Sequence, residues 1–191
     1  MFNFKGKKIL VTGGAGFIGS NLVKSLLELD AKVIVLDNLE TGNKDNLAPF
    51  LHNPKFEFYQ GDICSLSDCE HVLKGVDAVS HQAALGSVPR SIAFPNRTHE
   101  INASGFLNLL HAATEANVKR FVYASSMSVY GNVPDAPIGE DEHVAPLSCY
   151  GVGKLAAENY LNVFRKQLSS VRISMNWYQN PDFQVKSNCF P

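Results

Sequence analysis

A tyrosine and a lysine lie four residues apart, at Tyr150 and Lys154, in a segment whose apolar spacing predicts a helix. Residues at positions i and i+4 share one face of a helix, so the phenol and the ammonium group should be neighbours. A positive charge near a phenol favours the phenolate and lowers the phenol pKa, which prepares the tyrosine for proton transfer near neutral pH. The pair predicts general acid–base chemistry, although this spacing is common enough to occur by chance.

Three serines follow the fifth predicted strand, residues 120–124, and strengthen this interpretation. They are Ser125, Ser126 and Ser128. Ligands of parallel sheets bind at the carboxyl ends of the strands, so a serine here can reach the same ligand as Tyr150. The alternative is that all three are ordinary turn residues.

A glycine-rich loop, residues 12–19 (TGGAGFIG), joins the first predicted strand to the first predicted helix. We expect Gly13 to allow a tight turn, Gly16 to let the backbone approach a pyrophosphate, and Gly19 to let the helix pack closely on the strand. The helix N-terminus adds unpaired N–H groups and a positive dipole end, so the loop predicts a dinucleotide cofactor. The expected cofactor-binding residues of the loop are Gly13, Gly16, Phe17, Ile18 and Gly19.

Asp37 ends the second predicted strand, 18 residues after Gly19, and indicates which dinucleotide binds. A carboxylate at this distance from the glycine loop hydrogen-bonds the adenosine ribose hydroxyls and repels a 2′-phosphate. No arginine lies between Ser20 and Phe56 to receive such a phosphate. NAD is therefore predicted over NADP, with Asn38 beside Asp37 in the site. The alternative is that Asp37 is a solvated residue at a strand end.

Two further loops are expected at the same edge of the sheet. Asp62 and Ile63 follow the third predicted strand and are placed to contact the adenine. Ala83 and Ala84 follow the fourth, where small side chains allow the cofactor to approach closely. Each pair, taken singly, is equally consistent with ordinary loop chemistry.

Strands alternate with helices along the chain, the order that builds a parallel sheet covered on both faces. Apolar runs predict buried strands, and apolar residues spaced three or four apart predict helices. We therefore expect an α/β fold, a Rossmann doubly wound parallel sheet with helices on both faces. The predicted strands are residues 8–12, 32–36, 55–60, 76–80 and 120–124; the predicted helices are residues 17–27, 66–73, 96–116 and 150–166, the last preceded by a loop with Pro134, Pro137 and Pro146.

The end of the chain differs in character from the rest. Residues 1–167 are expected to form one NAD-binding domain, followed by a divergent tail of residues 168–191. The tail has the composition for one more strand, residues 171–175, which Asn180, Pro181 and Asp182 would end.

The bulk composition excludes several other classes of protein. The chain has 191 residues, a formal net charge of −1 and 45% hydrophobic residues, which is typical of a soluble globular domain. No apolar run approaches the roughly 20 residues that span a bilayer, and no global charge favours nucleic acid. The four cysteines and six histidines lack metal-site spacing, so no metal is expected. We predict a cytoplasmic protein with free thiols.

Together these motifs resemble the extended short-chain dehydrogenase/reductase family, and within it the NAD-dependent sugar-nucleotide epimerases. The resemblance runs from about Lys7 to Lys166 and includes Asn102, in the segment INASG. Residues 82–91 (QAALGSVPRS) are similar to bacterial UDP-N-acetylglucosamine 4-epimerases of surface-polysaccharide pathways.

The resemblance implies epimerisation at C4 of a UDP-sugar, either the N-acetylglucosamine/N-acetylgalactosamine pair or the glucose/galactose pair, through a transient 4-keto sugar. Tyr150 would take the proton of the 4-hydroxyl while hydride passes to NAD, and Ser126 would hydrogen-bond that hydroxyl. Tyr150 and Lys154 would also contact the cofactor, with Lys154 holding the nicotinamide ribose, and Asn102 would support the site from the long helix. The keto sugar would turn over and receive the hydride on its other face. The residues implied near the sugar are Ser87, Val88, Arg90, Ser126 and Ser128.

The chain departs from the family pattern at three places. Cys149 replaces a common proline, and Met127 replaces a residue that is usually small. Met127 and Ser128 also stand where related dehydratases carry the acidic pair that eliminates water, so dehydration is disfavoured. The tail does not resemble the family's continuation, so we expect a truncated chain that lacks most of the C-terminal substrate lobe and whose catalysis is impaired. The alternatives are a non-catalytic NAD-binding module and a reductase that uses the tyrosine–lysine pair on a ketone.

The resemblance also implies partners. Relatives often dimerise through the two helices that correspond to residues 96–116 and 150–166, so a homodimer with a four-helix interface is expected. The implied substrate is a UDP-sugar, and neither nucleic acid nor a membrane is an expected partner.

Overall fold

A computed structural model describes residues 2–132, 138–139, 142–165 and 170–174 of the chain. Its centre is a sheet of six parallel strands in the order β3-β2-β1-β4-β5-β6, which is the doubly wound Rossmann order and confirms the predicted fold class. The strands are β1 Lys8–Thr12, β2 Lys32–Asp37, β3 Phe56–Gln60, β4 Ala78–His81, β5 Arg120–Ala124 and β6 Ser170–Ser174.

The helices flank this sheet in the predicted alternation with the strands. They are α1 Phe17–Glu28, α2 Leu66–Val72, α3 Val88–Ala93, α4 Pro95–His99, α5 Phe106–Glu115 and α6 Cys149–Phe164. Shorter turns are a 3₁₀ segment at Lys44–Phe50, a π-helical segment at Glu100–Gly105 and a 3₁₀ turn at Met127–Val129.

Two apolar cores, one on each face of the sheet, explain why the central strands lack polar alternation. Successive side chains of a strand point to opposite faces. Accordingly, Leu10 of β1 belongs to one core, while its neighbours Ile9 and Val11 belong to the other. All three are fully buried, as expected for a sheet covered by helices on both sides.

His81, the last residue of β4, lies at the centre of the larger core. Its ring stacks on Tyr123, and its Nδ1 lies 2.7 Å from Thr12 Oγ1 at the end of β1. Burial lowers the pKa of His81 to about 3, so the imidazole is neutral at physiological pH. This contact ties together the ends of β1 and β4, where the cofactor loops begin.

Phe17 and Ile18, which are among the expected cofactor residues, are exposed at the N-terminus of α1 and line a cleft there. The helix predicted over residues 96–116 is present as α4, the π-helical segment and α5, which follow one another without a break. The π-helical hydrogen bonding in its middle was not predicted. A short helix, α3, was not predicted.

The remaining boundaries differ from the predictions by one or two residues, as is usual at helix and strand ends. Pro134, Pro137, Lys166 and residues 175–191, including the predicted break at 180–182, lie outside the residues that the structure describes. Pro146 lies in the loop before α6, as predicted.

Candidate active site

A cleft of about 430 Å³ opens at the carboxyl ends of the central strands. It is bounded by the glycine loop after β1 and by the loops that follow β2, β3 and β4. Every cofactor residue predicted outside α6 lines this cleft: Gly13, Gly16, Phe17, Ile18, Gly19, Asp37, Asn38, Asp62, Ile63, Ala83 and Ala84. The structure therefore brings together four loops that the sequence assigned to one ligand.

The glycine loop has the close backbone contacts that its sequence predicted. Gly13 has φ +68°, a left-handed conformation, and a Cβ there would lie 2.6 Å from the backbone nitrogen of Ala83. A Cβ on Gly19 would overlap the carbonyl oxygen of Gly13. Gly16 is the N-cap of α1 and has no side chain to cap the helix, so the first-turn N–H groups remain available to a phosphate at the cleft.

Asp37 is held in a fixed orientation at the end of β2. Its Oδ2 accepts a hydrogen bond from the Ala15 N–H at 2.9 Å, and its Oδ1 accepts one from the Leu39 N–H at 2.8 Å. Each carboxylate oxygen keeps a further lone pair for a ribose hydroxyl. The loop that follows is strained, because Leu39 has φ +64°. These carboxylate acceptors fit the ribose of the adenosine half of NAD, and the uncapped helix N-terminus in the same cleft fits its pyrophosphate.

Arg97 is a residue near this site that sequence reasoning missed. It lies on α4, and its guanidinium binds Glu40 at 2.5 Å and Glu100 at 2.7 Å. Glu40 itself lines the cleft, two residues after Asn38. The structure thus brings an arginine close to the adenosine end, but its charge is already paired with two carboxylates. Because Arg97 is paired in this way, it is not free to receive a 2′-phosphate, and NAD remains the predicted cofactor over NADP.

Replacing Asp37 by alanine is expected to weaken NAD binding at least about tenfold, because two charge-assisted hydrogen bonds to the ribose are lost. Isothermal titration calorimetry with NAD measures the change. Asp45→Ala is the matched control, since Asp45 is exposed and does not line the cleft. Equal dissociation constants for the two variants would contradict the assignment of Asp37.

The predicted acid–base residues meet at the carboxyl end of β5, where α6 begins, and they are not among the residues that line the cleft. The Ser148 side chain accepts a hydrogen bond from Gly151 N–H at 3.0 Å and so starts the helix five residues before Lys154. Ser126 is near enough to Tyr150 for its hydroxyl to lower the pKa of the phenol. Lys154 Nζ lies 5.7 Å from the centre of the Tyr150 ring. The three residues form one cluster at the carboxyl end of β5.

The pKa of Tyr150 departs from the prediction. Burial raises it above the usual value, and the bond from Ser126 lowers it by less. The predicted direction is wrong because Lys154 points elsewhere: its ammonium donates to the Ala124 carbonyl at 2.7 Å. Lys154 is almost fully buried, and burial lowers its own pKa to about 8.

The residues assigned to the sugar extend from the far end of the cleft. Gly86 is part of the cleft lining, and α3 begins directly after the next residue. Ser87 caps α3 by accepting a hydrogen bond from the Arg90 N–H at 3.2 Å, while the side chains of Val88 and Arg90 are exposed. The Ser128 N–H donates the capping bond of the 3₁₀ turn to Ser126 Oγ at 3.2 Å, and the Ser126 hydroxyl donates to Ser128 Oγ at 3.1 Å.

Asn102 secures the same loop from the π-helical turn. Its side-chain oxygen accepts a hydrogen bond from Leu85 N–H at 2.9 Å, and its amide donates to the Leu85 carbonyl at 3.1 Å. Both bonds are buried. Asn102 therefore fixes the backbone between β4 and α3. This is a supporting position on the long helix, as the resemblance implied.

Other kinds of site were sought across the described ranges. They contain no cluster of potential metal ligands. They also contain no helix that is long and apolar enough to cross a bilayer. Cys64, Cys69 and Cys149 are free thiols, whereas Cys189 lies outside the part of the chain that the structure describes.

Known proteins share this arrangement. The NAD dependent epimerase/dehydratase family matches residues 9–178. The UDP-glucose 4-epimerase of Mycolicibacterium smegmatis is 42% identical over 161 residues, which cover 83% of this chain and 51% of that protein. The chain spans about half the length of the curated relatives it matches.

Two solved structures superpose closely. The UDP-N-acetylglucosamine 4-epimerase from Methanobrevibacter ruminantium M1, in complex with UDP-N-acetylmuramic acid, gives a TM-score of 0.81 at 38% identity, over 88% of this chain and 55% of that one. A dTDP-glucose 4,6-dehydratase from Streptomyces venezuelae with NAD bound gives 0.83 at 38% identity, with the same coverage of 88% and 55%.

The family relatives are sugar-nucleotide epimerases and dehydratases, and their cofactor is the one that the glycine loop and Asp37 predicted. With the fold, the cleft and the Ser126–Tyr150–Lys154 cluster in place, the chain belongs to the NAD-dependent epimerase/dehydratase family.

Proposed function

We propose that this protein interconverts the C4 epimers of a UDP-sugar, with N-acetylglucosamine/N-acetylgalactosamine or glucose/galactose as the sugar pair. The observation that carries the proposal is the cluster of Ser126, Tyr150 and Lys154 at the carboxyl end of β5, the same edge of the sheet as a cleft that fits NAD. The solved relatives that bind UDP-sugars support this class of substrate.

In this proposal Tyr150 accepts the proton of the sugar 4-hydroxyl and later returns it to the 4-keto sugar. Bound NAD would supply the hydride acceptor and donor. Burial raises the pKa of Tyr150, which keeps the phenol protonated until a base is needed, and Ser126 beside it lowers that pKa and orients the 4-hydroxyl.

Lys154 is assigned to the nicotinamide ribose. Its ammonium has three donors, and one of them is used by the carbonyl of Ala124 at 2.7 Å. The remaining donors are available to the ribose hydroxyls. Ser87, Val88 and Arg90 are proposed to contact the substrate because α3 begins directly beyond Gly86 of the cleft lining. Ser128 is proposed to do so because its hydroxyl lies 3.1 Å from that of Ser126.

Epimerisation is favoured over dehydration by the 3₁₀ turn that follows Ser126. Eliminating water requires a general acid and a general base near the sugar. Here the turn places Met127 and Ser128 beside the cluster, and neither supplies a carboxylate. Reversible oxidation at C4 needs one proton-transfer group, Tyr150, and a hydride acceptor, which NAD would supply, but no second acid or base.

The proposal is tested by incubating the protein with NAD and UDP-N-acetylglucosamine and separating the UDP-sugars by anion-exchange chromatography. We expect the C4 epimer to form without net accumulation of reduced nicotinamide. Accumulation of reduced cofactor would favour a dehydrogenase or reductase. NAD binding without conversion of this sugar or UDP-glucose would favour a non-catalytic NAD-binding module.

We also propose that the protein forms a homodimer through α5 and α6. The support is an apolar outer surface on α6, where Val152 is 51% and Val163 is 72% exposed. Exposed aliphatic residues on one helix are typical of a protein interface. Sedimentation equilibrium of the wild-type protein is expected to give twice the mass of one chain. The Val163→Glu variant is expected to give the mass of a single chain. A monomeric wild-type protein would contradict this interface.

A further inference from the structure

We infer that Glu158 is a positioning residue for the tyrosine–lysine pair: its buried carboxylate, bonded to Ser125, holds Lys154 charged and in place at the carboxyl end of β5. The inference rests on the proposed role of Tyr150 and Lys154. It assigns a function to a buried acidic residue that the cofactor site does not otherwise use.

The first observation is that two opposite charges lie buried one helical turn apart. Glu158 follows Lys154 by four residues on α6, and the two are 9% and 4% exposed. A charge inside a protein is costly unless an opposite charge and hydrogen bonds compensate it. Each charge favours the ionised form of the other, while the hydrogen bond of each side chain goes to the end of β5.

The second observation is a two-point attachment between α6 and the end of β5. Lys154 Nζ donates to the carbonyl of Ala124, and the hydroxyl of Ser125 donates to Glu158 Oε1. Ala124 and Ser125 are consecutive, and Ser126 follows them directly. The attachment therefore sets the distance between the Ser126 hydroxyl and the α6 residues that complete the cluster.

The third observation concerns the other groups around Lys154. Tyr150 and Tyr123 face the ammonium with their rings, and burial raises the pKa of both phenols. His81 is neutral, since burial lowers its pKa to about 3. On the helices packed against α6, the charged side chains are exposed or already paired: Arg90, Arg97, His99, Glu100, His111 and Glu115. Glu158 thus opposes the burial that lowers the pKa of Lys154.

The experiment is an NMR titration of the protein carrying isotope-labelled lysine, with the Lys154 signal assigned from a Lys154→Met variant. Glu158→Gln keeps the size of the side chain and an oxygen for Ser125 but removes the charge. We expect the pKa of Lys154 to fall by about one pH unit in this variant. Glu28→Gln, at an exposed position on α1, should leave it unchanged. An unchanged Lys154 pKa in folded Glu158→Gln overturns the inference.

A second measurement does not depend on the folding of a Glu158 variant. In the wild-type protein, the Lys154 signal should show a small additional step where Glu158 titrates, at a pH above the usual glutamate pKa because burial raises it. In Ser125→Ala this step should move to higher pH, since the hydrogen bond from Ser125 lowers the pKa of Glu158. A Lys154 curve with no such step overturns the inference.

These titrations need neither sugar nor turnover, so they separate the two proposals. If UDP-sugars are not converted but Lys154 responds to Glu158, only the proposed function fails. If conversion occurs and Lys154 does not respond, only the role of Glu158 fails.

Discussion

Replacing Tyr150 by phenylalanine is expected to lower kcat for UDP-sugar interconversion by about 10³-fold or more. The variant loses one oxygen, the group that accepts the proton of the 4-hydroxyl and is bonded by Ser126. The ring remains to fill its position at the start of α6. NAD affinity, measured by calorimetry, should change little, because the cleft is lined by other residues.

Tyr160→Phe provides the matched control for this change. Tyr160 lies on the same helix but is 36% exposed. Its variant should keep wild-type kcat and NAD affinity. If Tyr150→Phe retains wild-type turnover, Tyr150 is not the acid–base group, and the function proposed for the cluster is wrong.

Gly13→Ala is expected to destabilise the protein by about 2–4 kcal/mol and to abolish NAD binding. Two costs add at this position. An alanine at φ +68° adopts a left-handed conformation, and its Cβ would lie 2.6 Å from the backbone of Ala83, which cannot move away as a flexible side chain can. Urea denaturation measures the free energy of unfolding, and calorimetry measures NAD binding.

Gly75→Ala separates the two costs. Gly75 has φ +70°, but no atom lies within 4 Å of a Cβ built there. This variant should therefore lose only the backbone contribution, about 1 kcal/mol, and should bind NAD normally. Equal destabilisation by the two substitutions would show that the approach of the glycine loop to Ala83 contributes nothing.

The sequence was most informative where local chemistry determines structure. A strand that is buried on both faces is an uninterrupted apolar run, which is visible in the sequence. The glycine loop and Asp37 have the spacing that a dinucleotide site requires. For that reason the sheet and the choice of NAD were predicted correctly. The residues predicted to bind the cofactor outside α6 lie in one cleft because parallel strands all end at the same edge.

Irregular local geometry was harder to predict than the position of a loop. Phe17 and Ile18 were expected at the cofactor because they belong to the glycine loop, and they line the cleft. The π-helical segment between α4 and α5 was not predicted. The sequence of this segment favours an ordinary α-helix. The irregular backbone occurs where Asn102 hydrogen-bonds the backbone of Leu85.

Prediction also failed for side chains whose role depends on distant partners. Glu158 looks like a solvent-facing helical glutamate until Ser125, 33 residues earlier, is placed against it. Arg97 and Glu40 are separated by 57 residues. The pKa of Tyr150 was predicted in the wrong direction because the spacing to Lys154 does not show that the ammonium binds a backbone carbonyl. Such contacts are properties of the folded chain.

The central claim, reversible oxidation at C4 by the bound cofactor, is tested most directly with a UDP-sugar that carries deuterium at C4. If the hydride leaves C4 and returns to it within one active site, the epimerised product keeps the deuterium at C4 and no reduced nicotinamide accumulates. Epimerised product that has exchanged its C4 deuterium for solvent hydrogen, or no epimerised product at all, would contradict the account.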